Sequence, residues 1–161
     1  MISNRWFFGA GAAVCALLLS TGYYLQYFQG QDPCPLCLVQ RGFYYAFGAV
    51  FLLAALHGRG TLAYSLAGFV VALGGLGVAA RHVWLQHLPP EQVPACGPDL
   101  FYMLENFPLR RTLEKLLTAT GQCAEVKWRF LGLSIAEWSL AWFVALAIYA
   151  AWMALRRRSA A

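Results

Sequence analysis

The sequence predicts an all-α membrane protein, a four-transmembrane-helix bundle with one long polar loop that carries a short amphipathic helix. Three observations lead there. The 161 residues are 60% hydrophobic and only 12% charged, too apolar for a soluble domain, in which about a quarter of residues carry charge. Four stretches, over about 6–28, 36–56, 62–80 and 135–155, reach or approach the roughly 20 apolar residues that a bilayer core demands. Between the third and the fourth, over about 81–134, prolines and charges replace the apolar pattern. The chain 1–161 thus reads as a single four-helix membrane domain.

The first stretch, Trp6 to Phe28, exceeds the about 7–15 residues of a signal-peptide core and lacks a clear small-residue cleavage site, so it is expected to span. Ser20, Thr21 and its glycines are expected to let helices approach closely. Cys15 lies mid-span, where a thiolate is disfavoured, and reads as a small packing residue. The second stretch ends at His57-Gly58-Arg59-Gly60, a glycine-rich turn between antiparallel helices. The third carries Gly68, Gly74, Gly75 and Gly77 and is expected to exit at Arg81 and His82. In the polar segment, Leu109, Leu113, Leu116 and Leu117 share one helical face opposite charges, the pattern of a helix lying flat at the membrane surface. Packing on protein alone explains the same pattern. Ser134-Ile135-Ala136-Glu137 has the spacing of a capping box and marks the start of the fourth helix.

Charge placement orients the bundle. Arg5, Arg59 and Arg156 to Arg158 fall at one end, while Asp32, Glu91, Asp99, Glu105, Glu114, Glu125 and Glu137 fall on the other side. Cations on short segments near helix ends mark the cytoplasmic face, which puts both termini inside and the polar loop outside. The net charge of +5 then follows from topology and calls for no nucleic-acid partner.

The chemistry concentrates in Cys34-Pro35-Leu36-Cys37-Leu38-Val39-Gln40-Arg41. A residue before proline avoids the helical region, and proline suits the first helical position, so the second helix is expected to start at Pro35. Cys37 then lies in the first turn, where free N–H groups favour a thiolate. Arg41, four residues on, is expected above Cys37 on the same face, where its charge would favour that thiolate or hold an electron-rich oxygen of a ligand. A snorkelling arginine beside an inert disulfide is the plainer alternative. His82, expected at the same depth, is a second candidate donor to a ligand, or an interfacial histidine without a role.

Apart from Cys15, four cysteines remain, Cys34, Cys37, Cys96 and Cys123, all on the outer side. Thiols in an oxidising compartment pair, and four of them permit three connectivities. The working expectation joins Cys34 to Cys37 and Cys96 to Cys123. The linear spacing matches no usual zinc pattern, so no metal is expected.

Together, Cys34-Pro35-Leu36-Cys37 followed by Arg41, Arg81-His82 leading into Leu85-Gln86, Cys96, and Gly121-Gln122-Cys123-Ala124-Glu125 with Trp128 and Phe130-Leu131-Gly132-Leu133 resemble the DsbB family of bacterial disulfide bond formation proteins. The resemblance covers nearly the whole chain. It implies an inner-membrane thiol–disulfide oxidoreductase, with the polar loop in the periplasm, that reoxidises a DsbA-like periplasmic dithiol protein and passes the electrons to membrane quinone, either ubiquinone or menaquinone. It further implies that Cys34, Cys37, Cys96 and Cys123 are catalytic and that Arg41 and His82 border the quinone. In that scheme the soluble partner engages Cys96, Cys123 links transiently to Cys34, and Cys37 delivers the electrons. Two other readings stand beside it, a vitamin K epoxide reductase-like enzyme and a non-enzymatic scaffold stapled by two disulfides.

Overall fold

A computed structural model describes residues 4–59, 61–93, 102, 105–108, 110–111, 121–126 and 128–158. Four helices form the bundle: α1 (Asn4–Phe28), α2 (Pro35–His57), α3 (Thr61–Gln86) and α4 (Ile135–Arg158). All four are long and apolar enough to cross a membrane. Neighbours in sequence are neighbours in space, α1 packing on α2, α2 on α3 and α3 on α4, as short connections between antiparallel helices require.

The turn between α2 and α3 depends on Gly58, which adopts the left-handed conformation at φ 66° and returns its N–H to Ala54 O. A side chain there would be strained, which is why glycine ends helices so often. The last carbonyls of α2 also need donors. Arg5 supplies them, with Nε 2.8 Å from Ala55 O and Nη2 3.0 Å from Leu56 O. At the same end Tyr149 donates to Phe7 O at 2.8 Å, and the Phe7 ring meets Trp152 edge-on at 5.7 Å. These contacts tie α1 to α4.

Without water to drive apolar surfaces together, membrane helices associate by close packing and polar bonds. The fully buried Phe8, Phe47, Phe51 and Phe143 supply much of the packing. Gly75 faces the Phe143 ring so closely that a Cβ would overlap it, and Gly68 does the same for Phe51. The α3 glycines are therefore sockets for phenylalanine rings more than backbone-to-backbone contacts, and Gly77 faces open space. Ser20 and Thr21 also depart from expectation. Both are exposed and bond to carbonyls of their own helix, Ala16 O and Leu17 O.

The largest difference in helix length concerns α3, which runs six residues past the expected exit, to Gln86. Polarity at Arg81 and His82 ends the apolar stretch, yet the helix continues because Leu85, fully buried, and His82, 3% exposed, face inward. Cys96 and most of the amphipathic segment lie outside the described residues; of that segment Phe107, Pro108, Arg110 and Arg111 are described. Before α4 the chain makes a small hairpin, β1 (Arg129–Phe130) against β2 (Leu133–Ser134). Its two turn residues, Leu131 and Gly132, take φ of 53° and 84°, matching the twist that two-residue hairpin turns require. The expected capping box then forms at α4. Glu137 N donates to Ser134 Oγ at 3.2 Å, and Ser134 N donates to the Glu137 carboxylate at 2.7 Å.

Candidate active site

Cys34 caps α2 from outside the helix, with φ −70° and ψ 163°, and Pro35 occupies the first turn. The Cys37 N–H donates to Cys34 Sγ at 3.4 Å, which turns that sulfur towards the helix end and leaves the two sulfurs 3.1 Å apart. Both cysteines are free thiols here.

His82 of α3 faces the pair, with Nε2 3.7 Å from Cys34 Sγ. Its other ring nitrogen lies 3.1 Å from Gln40 Nε2. When the amide donates to Nδ1, the imidazole proton resides on Nε2 and is directed at the sulfurs. Gln40 is 4% exposed, and a buried amide is stable only when bonded. Sequence reasoning passed over Gln40. Its signal was an amide in an apolar run, three residues after Cys37 and so on the helix face that the cysteine occupies.

Cys123 is brought in by a short 3-10 turn, Gly121–Ala124, that packs on α3 and on α2. It is 1% exposed and joins Leu36 and Leu85 in a small buried cluster against which Cys34 packs. The Cys34 thiol is pushed up to about 12, first by its bond with Cys123 and further by burial, with Cys37 acting in the opposite direction. At neutral pH it is therefore a thiol and not a thiolate.

Arg41 behaves differently from expectation. Although it follows Cys37 by four residues, its guanidinium turns to α1, donating to Gln26 Oε1 at 2.5 Å and to Gly22 O at 3.0 Å, over the Tyr23 ring at 4.7 Å. A guanidinium in an apolar setting seeks oxygen acceptors, and two oxygens of α1 are better acceptors than a thiol. The candidate donor that faces the sulfurs is thus His82, at 3.7 Å from Cys34 Sγ.

Cys34, Cys37, Cys123, Arg41 and His82 all line one cavity of about 520 Å³. Leu17 and Leu18 of α1 and Trp138 and Trp142 of α4 form apolar walls. Leu17 and Trp142 are also exposed on the outer surface of the bundle, so the cavity opens sideways between α1 and α4. It is closed at the other end of the bundle by the Phe7, Tyr149 and Trp152 contacts.

Comparison with known proteins decides the family. The family model described as Disulfide bond formation protein DsbB matches residues 4–153. This chain belongs to the DsbB family. It is similar to Disulfide bond formation protein B of Nitrosococcus oceani, 50% identical over 94% of this chain and 91% of the relative. Similar proteins of the same name occur in Methylococcus capsulatus, at 50% identity over 91% and 92% of the two chains, and in Marinobacter nauticus, at 47% over 98% and 96%. Membership in DsbB makes the protein a multi-pass membrane thiol–disulfide oxidoreductase and sets aside the epoxide reductase-like and scaffold readings. Within the cavity wall Tyr44 OH donates to Ser139 O at 3.3 Å and fixes α2 against α4.

Proposed function

We propose that the protein moves electrons from a DsbA-like periplasmic dithiol protein, by way of Cys96, Cys123, Cys34 and Cys37, to ubiquinone or menaquinone in the inner membrane, with both termini in the cytoplasm. The observation that carries this is the shared cavity. It gathers the Cys34–Cys37 pair, Cys123 and two nitrogen-rich side chains behind an opening between α1 and α4.

The cavity fits a quinone ring. Its leucine and tryptophan walls suit a flat apolar ring, Arg41 and His82 can donate to ring oxygens, and the gap between α1 and α4 gives an apolar tail a route to the bilayer. A quinone supplies a two-electron, two-proton acceptor. The residues do the rest. In the oxidised enzyme each cysteine pair is a disulfide. A thiolate of the soluble partner attacks Cys96, and Cys123 leaves as a thiolate. Cys123, packed against Cys34, attacks that sulfur and displaces Cys37 as thiolate. His82, with its Nε2 proton directed at the sulfurs, stabilises the displaced thiolate, and Gln40 holds the ring in that orientation. The partner's second thiol then attacks the partner's own sulfur in the mixed disulfide, Cys96 leaves as thiolate, and the partner departs oxidised. Net, two electrons and two protons leave the partner dithiol and reside on this chain.

The test uses purified full-length protein. Given a reduced DsbA-like protein and a soluble ubiquinone or menaquinone analogue, it should oxidise one dithiol per quinone reduced. Dithiol oxidation that proceeds equally well without quinone sinks the acceptor assignment. Impermeant thiol reagents applied to intact, reduced cells should label Cys34, Cys96 or Cys123. Labelling only after the inner membrane is opened reverses the orientation.

A further inference from the structure

The sulfurs of Cys34 and Cys37 and a ring nitrogen of His82 lie within 4.8 Å of one another. Three ligand atoms of this softness, convergent on one point, suit a d10 cation as well as they suit thiol exchange. In sequence His82 is far from the Cys-x-x-Cys pair, and only the α2–α3 pairing brings it there. We propose that the reduced Cys34–Cys37 pair and His82 form a Zn²⁺ site, and that the bound ion holds the enzyme in its dithiol state.

The geometry is close to what zinc needs. Tetrahedral zinc with Zn–S of about 2.3 Å and Zn–N of about 2.0–2.1 Å puts sulfur and nitrogen ~3.5 Å apart and the two sulfurs ~3.8 Å apart. The Cys34 Sγ to His82 Nε2 distance is 3.7 Å. The sulfurs, at 3.1 Å, need to separate by well under 1 Å, within reach of a small side-chain rotation because Cys34 lies outside the helix and is only partly buried.

The surroundings support an ion as well. A metal-bound histidine is normally oriented by a partner on its second nitrogen. Gln40 stands there, 3.1 Å from Nδ1; with Nε2 on the metal, Nδ1–H donates to the amide oxygen, which takes the place of the amide nitrogen by a flip of the side-chain end. The charge balances too. Binding follows Zn²⁺ plus two thiols giving a zinc dithiolate plus two protons, and two thiolates with one neutral imidazole make an uncharged complex suited to an apolar cavity. Asp32 and Glu125 line the same cavity and give the mouth the sign that attracts a cation. The fourth position faces the cavity and takes water.

The ligand set exists only in the dithiol form, because a disulfide offers no thiolate. Binding is therefore coupled to redox state. That coupling rests on the reading that Cys34 and Cys37 cycle between dithiol and disulfide, whereas the site itself does not.

The experiment titrates full-length protein in micelles with Co²⁺ and displaces it with Zn²⁺. To keep the other thiols out, Cys96→Ser and Cys123→Ser are present throughout. Reduced protein should bind one ion per chain with a thiolate-to-cobalt charge-transfer band, and protein oxidised at Cys34–Cys37 should bind about a hundredfold more weakly or not at all. Gln40→Ala should weaken binding by about tenfold. His82→Ala should weaken it by at least that much, and His82→Cys should recover binding with a stronger charge-transfer band from a third thiolate. Bound Zn²⁺ should also slow alkylation of Cys34 and Cys37 by iodoacetamide at least tenfold, a readout that involves neither quinone nor partner. Equal binding by oxidised and reduced protein, or unchanged affinity in His82→Ala, would place the ion at a surface site such as His57 or His87 and overturn the proposal. So would alkylation indifferent to zinc. A failure of quinone reduction would leave these results untouched.

Discussion

The two ends of the bundle satisfy their buried polar groups in opposite ways. Towards the termini, Ser65 bonds the carbonyl of Thr61 one turn back in its own helix, and the space between helices is filled by Phe8, Phe51 and Ala54. Around the cysteines the bonds cross between helices. Gln40 meets His82, Tyr44 meets Ser139, Ser134 meets Gln86, and Arg41 meets Gln26 and Gly22. Tyr149 bonding Phe7 O and Arg5 bonding Ala55 O and Leu56 O are exceptions at the closed end, and they belong to the contacts that shut the bundle. A polar side chain satisfied inside its own helix costs little and fixes nothing. One satisfied by a neighbouring helix fixes distance and orientation, and it is retained where a site needs geometry. One end therefore acts as scaffold and the other as machinery.

The sharpest way to break that division is Cys37→Ser. Turnover with a reduced dithiol protein and a quinone analogue should fall by about 10³-fold or more, while the thermal unfolding midpoint in micelles moves little. Phe51→Ala should do the reverse. Its ring is fully buried, and truncation should cost about 3–5 kcal/mol of stability, read by denaturant unfolding, with turnover per folded molecule unchanged. A loss of turnover in folded Phe51→Ala protein would show that the two ends are coupled. Arg41→Met should raise the apparent Michaelis constant for quinone by about tenfold with both disulfides still forming, and Lys should recover part of that loss because it keeps the charge without the planar fork. Wild-type quinone kinetics in the methionine variant would remove Arg41 from the site. The smallest effect is expected from Cys15→Ala. Cys15 is 1% exposed and faces Gly48, so stability should drop by about 1 kcal/mol and turnover should hold. A large loss of turnover would bring Cys15 into the relay.

Much of the scaffold was legible because bilayer thickness sets a length that an apolar run must match. The starts of α2 and α4 were legible to the residue, since Pro35 and the Ser134–Glu137 box act through local backbone geometry alone. The end of α3 was not. Hydropathy stops at Arg81, whereas the helix stops where its hydrogen bonding stops, and a helix can carry inward-facing polar residues past the end of its apolar run. The β1–β2 hairpin escaped notice because two-residue strands are too short to show alternation. The site divides along the same line. The Cys34–Cys37 pair was evident from spacing, and His82 was a candidate from its depth. The role of Gln40 and the turn of Arg41 towards α1 depend on which neighbour supplies the better acceptor, and that is a property of three dimensions.

One further bond has a consequence for how the chain can vary. Ser134 Oγ donates to Gln86 Oε1 at 2.7 Å, so the residues that open and close the long connection between α3 and α4 are clasped to each other. Residues 87–133 then form a ring closed by that clasp and pinned again by the 121–124 turn, which packs on α3 and α2. The entropy of closing such a ring grows only with the logarithm of its length, about 0.6 kcal/mol for each doubling. Length changes between Leu88 and Gly121 thus cost the four helices beneath little. The part of the chain that meets the soluble partner in the proposed function can be redrawn in length and sequence while the clasp, and the helices it joins, remain the same.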